Sequence, residues 1–250
     1  MRELGLRVIE SLEEIAHRYH LHGDYPDMFI EGICQKFEIE WVSKFFSQND
    51  KVLDLGFGDG LFLESFLNHE DFTILEAAPS LVQKANQKIH EAQSKVKIVE
   101  TLFEEYEPNS KFDVVIASHV LEHVENPFLV LKKCQDWLRP GGNLLAIVPN
   151  RESFHRRLGL KMGLINNLED LSQRDHAVGH LRVYSRQMLE SELTSSGFSI
   201  KEAQGFFLKT LSNTQMLHLS VEVIRGLCEL SQDLPVEYGA NIGIVAVNAQ

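Results

Sequence analysis

Cationic side chains are in short supply in this chain: 24 lysines and arginines stand against 36 aspartates and glutamates in 250 residues, a formal net charge of -12. A polyphosphate backbone is bound through basic surface, so a nucleic-acid partner is not expected. Cysteine is scarce as well. Cys34, Cys134 and Cys228 are too few and too scattered for a disulfide framework or a CxxC metal knuckle, and reduced buried thiols are expected instead. No stretch approaches ~18 uninterrupted apolar residues, and the N-terminal Met-Arg-Glu-Leu-Gly-Leu-Arg has no apolar run. No membrane span is expected, and the protein is read as cytoplasmic and soluble.

What is present is an ordinary globular composition, 44% hydrophobic and 24% charged, enough for one α/β domain with embellishments. The chain is organised around Lys51-Val-Leu-Asp-Leu-Gly-Phe-Gly-Asp-Gly-Leu-Phe-Leu63. Val52, Leu53 and Leu55 make a short buried strand; Gly56, Gly58 and Gly60 let the backbone turn with no Cβ between it and a ligand; Leu61, Phe62, Phe66 and Leu67 resume at helical spacing. Glu76 closes the next apolar run, Phe72-Thr-Ile-Leu-Glu76, about 20 residues on, where a carboxylate suits ribose hydroxyls. Dinucleotides and adenosyl sulfonium compounds both use such a turn. Charge separates them, because Asp59 beside a pyrophosphate costs about 4 kcal/mol per charge pair at 4 Å and an effective dielectric of about 20, while favouring a sulfonium by a similar gross amount. Leu61 also stands where the dinucleotide pattern has its last glycine. S-adenosylmethionine is favoured over NAD.

Strand and helix signals alternate through the middle of the chain. Strands are expected at Val96 to Val99, Phe112 to Ala117 and Asn143 to Val148, with Ser80 capping one helix and Asn126-Pro127 starting another. This predicts a doubly wound, mostly parallel sheet whose carboxyl ends carry Asp54, Glu76, Leu102 to Glu104, Ser118 and Asn150 around one crevice. Residues 1–47 read as a helical cap, with helices over residues 3–18 and 33–46, and residues 48–250 as the main domain. His17, His20 and His22 cluster without a completing cysteine or carboxylate pattern, and are read as a surface turn; no metal site is expected. Residues 151–184 break the rhythm as a substrate-side lid before Ser185 caps the helix Arg186 to Ser195 and Gly197 ends it. A strand near Phe198 to Ala203, a helix from Thr214 to Leu230 and a strand Ile242 to Val247 finish the chain.

Four ordered segments carry a resemblance: Val52 to Gly60, Ile74-Leu-Glu76, Phe112 to Ser118 with Leu121-Glu-His-Val124, and Leu138-Arg-Pro-Gly-Gly-Asn-Leu-Leu145. Together they resemble the successive motifs of class I S-adenosylmethionine-dependent methyltransferases, nearest the small-molecule, ubiquinone-type branch, across residues 37–205. The resemblance implies a seven-stranded Rossmann-like sheet and a methyl acceptor that is an oxygen or nitrogen of a small metabolite. It lays the backbone of Gly56, Phe57, Gly58 and Gly60 against the methionine part, puts ribose on Glu76 and sets Ala77 beside adenine. Leu102, Phe103 and Glu104 follow strand three near the adenine, and Asp54 and Ser118 border the same crevice. An NAD-dependent oxidoreductase and a non-catalytic module of the same fold remain the competing readings, and a homodimer is left open.

Methyl transfer from a sulfonium is an in-line displacement, so alignment and exclusion of water matter more than acid-base groups. Ser-His-Val-Leu follows strand four where nucleic-acid amino methyltransferases have Asn or Asp-Pro-Pro-aromatic, and no Pro-Cys pair supplies a cytosine C5 nucleophile. His119 and His123 are candidate catalytic residues, set against a purely structural role. The segment Asn150 to Arg186 holds seven cationic and four anionic side chains, +3 inside an acidic protein. Asp175-His-Ala-Val-Gly-His-Leu-Arg-Val-Tyr-Ser185 resembles the His-x-Arg-x-aromatic approach of ubiquinone-type enzymes. His180 as base, and His176, Arg182, Tyr184 and Tyr25 as substrate contacts, are expected on an acceptor bearing a carboxylate or phosphate.

Overall fold

A computed structural model of the chain describes residues 11–21 and 25–250. The helical segment 11–21 (α1) winds up in a π-turn over Ala16–Leu21; Leu4, Val8 and His22 of the sequence reading lie outside the described residues. The elements that follow are α2 (Met28–Val42), β1 (Val52–Leu55), α3 (Leu61–Phe66), β2 (Phe72–Glu76), α4 (Pro79–Glu91), β3 (Lys97–Glu100) and β4 (Phe112–Ser118). Then come α5 (Pro127–Trp137), β5 (Leu138–Pro149), α6 (Phe154–Lys161), α7 (Gln173–Val178), α8 (Arg186–Ser195), β6 (Phe198–Phe206), α9 (Asn213–Met216), α10 (Val221–Gln232) and β7 (Asn241–Asn248).

All seven strands join one sheet in the order β3-β2-β1-β4-β5-β7-β6. The first five pair in parallel, and β7 runs antiparallel between β5 and β6. Because β7 reverses direction twice over, β6 points the same way as β5, and the carboxyl ends of six strands open on one edge. Side chains alternate across the pleat. Leu53, Leu55, Val115 and Ala117 pack with Val130, Trp137 and Leu189 on one face. Val52, Ile74, Val114 and Ile116 pack with Trp41, Val42, Leu81 and Ala85 on the other. This is the doubly wound α/β architecture that the alternation predicts. A third cluster of Ile30, Cys34, Phe207, Met216, Ile224 and Cys228 ties α2 to α9 and α10 beyond the sheet edge.

Local signals decide most of the boundaries. Asn126 caps α5 by accepting from Leu129 N at 3.1 Å, with Pro127 as its first residue, and Ser185 caps α8 through Met188 N at 3.2 Å. Three expectations need correction. Ser80 does not cap α4: Ala78 does, because Pro79 fixes the first helical position and leaves Ser80 inside the turn. The second helix starts at Met28 rather than Ile33, following Asp27. The single helix expected over Thr214 to Leu230 is two, since Ser212 closes a capping box on Gln215 and Ser220 starts the next helix. Residues 151–184, expected as a lid, contain the helices α6 and α7, the latter set by a capping box of Ser172 and Asp175 and ended by Gly179 at φ 83.

Candidate functional site

The glycine turn is open where a ligand would lie. Gly56 and Gly58 take φ of 87 and 56, and a Cβ built on either meets nothing within 4 Å, whereas one on Gly60 would run into the Phe57 ring at 2.7 Å. Gly60 is therefore needed for packing, and Gly56 and Gly58 for backbone conformation and open space. Glu76 ends β2 with both carboxylate oxygens turned to the turn: Oε2 accepts from Phe57 N at 3.0 Å, and Oε1 from Ala77 N and Ala78 N at 2.8 Å. Burial raises its pKa and those three amides oppose the rise. Oε1 has both lone pairs engaged and Oε2 keeps one, so the carboxylate is held in place with a free acceptor site on Oε2 for a ligand hydroxyl.

Asp59 accepts from Leu61 N at 3.1 Å, and burial pushes its pKa up against that bond. Asp54 is buried at the end of β1, and desolvation holds its carboxyl well above the ordinary range. Phe57 and Ala77 are buried walls, while Leu102, Phe103 and Glu104 follow β3 half-exposed. Ser118 Oγ, at the end of β4, is buried and has no hydrogen-bond partner. An orphaned hydroxyl, an acceptor at the ribose position and two glycines facing empty space fit an adenosyl ligand.

Beside Ser118 the chemistry changes. His119 takes φ 55, unusual for a residue with a side chain, with its amide tied to Ile147 O at 2.8 Å. Its Nε2 lies 3.1 Å from Glu38 Oε2, and its Nδ1 3.3 Å from Glu122 Oε1. Glu38 also accepts from Asn241 Nδ2 at 2.7 Å, which locks the carboxylate in place. Burial alone would lower the pKa of His119, but Glu38 and Glu122 outweigh it and hold the ring as an imidazolium well above its ordinary range. With Nε2 bonded to Glu38 and Nδ1 in ion-pair range of Glu122, whose buried oxygens accept no hydrogen bond among the described residues, His119 is held between two carboxylates and is not a free base.

His123 is different. Its Nδ1 lies 3.3 Å from Gly179 O, and burial lowers its pKa, so the neutral ring donates there and carries its lone pair on Nε2. The His180 ring packs on it at 4.7 Å, with Nδ1 held by Asp175 Oδ1 at 2.8 Å. Ligand atoms of Glu122, His123 and His180 lie within 4.8 Å of one another, a spacing that a cation could bridge and a grouping the sequence reading did not foresee.

Several expected substrate contacts are corrected. Tyr184 is fully buried, its hydroxyl 3.1 Å from Glu192 and 3.4 Å from Leu121 O, so it is a core residue. Arg182 donates to the carbonyls of Leu121, Val124 and Glu125, bracing the loop after β4 instead of presenting its fork to a ligand. His176 is exposed on α7. The other arginines of the basic lid are engaged too: Arg151 with Glu169, Arg156 with Asp175 and two lid carbonyls, Arg157 with Glu152, Arg186 with Glu190 and Glu237.

Arg174 makes the largest network. It binds both oxygens of Asp27 at 2.9 and 2.8 Å, Glu31 at 2.8 Å and Tyr19 Oη at 3.1 Å, and lies over the Tyr25 ring at 5.0 Å. Asn213 Nδ2 completes the group, 3.0 Å from Asp27 and 3.1 Å from Glu31. Tyr25 thus packs at the junction of lid and cap. Asp27, Glu31 and Glu38 were missed by sequence reasoning; their helical spacing on one face of α2 was the available signal. Asp27 and Glu38 are buried.

Comparison with known proteins agrees with this geometry. A family described as a methyltransferase domain matches residues 32–203. The ubiquinone biosynthesis O-methyltransferase of Rickettsia canadensis is 26% identical over 237 residues, covering 89% of this chain and 95% of that one. That of Rhodopseudomonas palustris strain HaA2 is 32% identical over 195 residues, 77% and 76% of the two chains. Among solved structures, a methyltransferase from Thermotoga maritima superposes with a TM-score of 0.64 at 17% identity, over 94% of this chain and 100% of that one. The N-methyltransferase NodS of Bradyrhizobium japonicum, solved with S-adenosyl-L-homocysteine, gives 0.53 at 14% identity over 91% and 100%. With its glycine turn, its Glu76 and the order of its sheet, the chain belongs to the class I S-adenosylmethionine-dependent methyltransferases of the small-molecule branch.

Proposed function

We propose that this methyltransferase transfers the methyl group to a hydroxyl oxygen of a small metabolite. The observation that carries the reading is the match along nearly the whole chain to O-methyltransferases, 89% of this chain and 95% of the relative. The acceptor wall supports it, because Ser118 and His119 stand where amino methyltransferases of nucleic acids have other residues, and the net charge is -12.

S-adenosylmethionine supplies an electrophilic methyl on a sulfonium, and Gly56 to Gly60, Glu76, Ala77 and Ser118 are the groups to hold it. A hydroxyl attacking that methyl must lose a proton. His123 is the proposed acceptor of that proton, since Nε2 of its neutral ring is unprotonated, and His180 keeps the ring from turning by packing against it. His119, fixed between Glu38 and Glu122, shapes the floor at the end of β4 and holds the backbone of Ser118 in place. The lid, clasped to the cap through Arg174, excludes water from the reaction. Supply of labelled S-adenosylmethionine with matched panels of phenols, alcohols and amines tests the reading. Label in O-methyl products and none in amines is expected; label confined to amines would overturn the oxygen assignment. Calorimetry with NADH should show no binding, which separates the oxidoreductase alternative.

A further inference from the structure

With the lid arginines engaged, one cation at the carboxyl edge of the sheet has no ion pair or hydrogen bond from its side chain among the described residues: Lys209. Its position follows from the topology. Phe206 ends β6 opposite Asn241, the residue that holds Glu38. Phe207 then takes φ 60, and its carbonyl accepts from Ala240 N at 2.8 Å and from Lys209 N at 2.7 Å. That tight turn brings the lysine back against α2, in the field of Asp27, Glu31, Cys34 and Arg174, with His155 of the lid also close. It is half-buried. Burial pushes its pKa below the ordinary lysine value.

The charges around it leave its donors available. Arg174 pairs directly with both Asp27 and Glu31, a trio that carries one net negative charge. Lys209 balances that charge from a distance without contacting either carboxylate. A half-buried ammonium with no protein acceptor among the described residues keeps its N–H groups for a ligand that brings one. A single carboxylate suits the site, since the nearby carboxylates would repel a dianion. Glu31, whose charge acts on Lys209, and Glu38, paired with His119, are seven residues apart on α2, about 10 Å along the helix axis.

We propose that Lys209 is the anion-binding residue of the acceptor site, taking a carboxylate of the substrate that lies away from the hydroxyl receiving the methyl group. The assignment rests on the O-methyl transfer reading above. The experiment compares 3,4-dihydroxycinnamate, whose carboxylate lies at the far end of the molecule from its ring hydroxyls, with neutral 4-methylcatechol, each titrated into the full-length protein loaded with S-adenosylhomocysteine. The carboxylate compound should bind wild type at least about tenfold more tightly, the ordinary worth of one charged hydrogen bond. Lys209→Met and Lys209→Gln should erase that preference, Lys209→Arg should retain most of it, and none should change affinity for S-adenosylhomocysteine. No preference in wild type, or a preference that survives both neutral variants, overturns the role of Lys209. Were neutral hydroxyl compounds methylated while carboxylates gain nothing, O-methyl transfer would stand and only Lys209 would fall. Methylation of amines alone would remove the underlying reading instead.

Discussion

On the cofactor side of the crevice the decisive contacts are short in sequence, as Glu76 reaches Phe57 N across 19 positions of chain. On the acceptor side they are long: Glu38 meets His119 across 81 positions, Arg174 meets Asp27 across 147, and Asn213 meets Asp27 across 186. The first side is made of backbone, with glycines at positive φ and amides gathered on one carboxylate. The second is made of charged side chains that neutralise one another in partly dry surroundings. A backbone cradle is rigid and tolerates no added atoms. A charged network tolerates change in geometry but not loss of a partner, because the group left behind stays buried and unpaired.

The sharpest break in this contrast is Gly58→Val. A branched side chain at φ 56 strains the turn by ~1 to 2 kcal/mol and fills the space beside it, so binding of S-adenosylhomocysteine should fall beyond about 100-fold while the melting transition moves only modestly. Calorimetry with a melting curve checks both halves; retained binding would show that the turn does not face the cofactor. Next in size is Glu76→Ala, expected to weaken the same binding by ~1 to 3 kcal/mol. Unchanged affinity in a folded variant would remove the ribose assignment.

Arg174→Ala tests the charged side, leaving the buried Asp27 without its guanidinium. The arginine is 31% exposed, so the loss should lie between a surface and a buried pair, about 2 kcal/mol. It should appear as faster proteolysis of the lid with cofactor affinity unchanged. Loss of cofactor binding would merge the two sides and end the comparison.

The smallest effect is a pH dependence. The pKa of His119 is raised in the fold, so its contribution to stability is complete below the unfolded value near 6.5 and is lost as pH rises through the folded value. Glu38→Gln removes one of the two carboxylates and brings the folded value down. The stability gap between wild type and variant, about 1 to 2 kcal/mol near pH 6, should narrow as pH rises through the wild-type titration of His119. Urea denaturation from pH 6 to 10 measures it. A gap constant across that range would mean that His119 is not held as a cation.

The amino-acid sequence by itself determined the sheet, the glycine turn and the carboxylate of Glu76 that faces it. Each is written in local periodicity, in glycines that only a tight turn requires, or in a spacing of about 20 residues set by one strand-helix-strand unit. It also marked the caps at Asn126 and Ser185, where side chain and backbone meet within three residues. It did not determine what the charged residues of the lid and cap do. Arg182 and Arg174 look alike in the chain, yet one braces a loop through carbonyls and the other clasps Asp27 and Glu31. Nor did it single out Glu38, one acidic residue among many, or Lys209, which carries no motif. Only the tertiary structure decided these, because the energy of a charge depends on burial and on partners that meet across 81 or more positions of chain, neither of which a local pattern encodes.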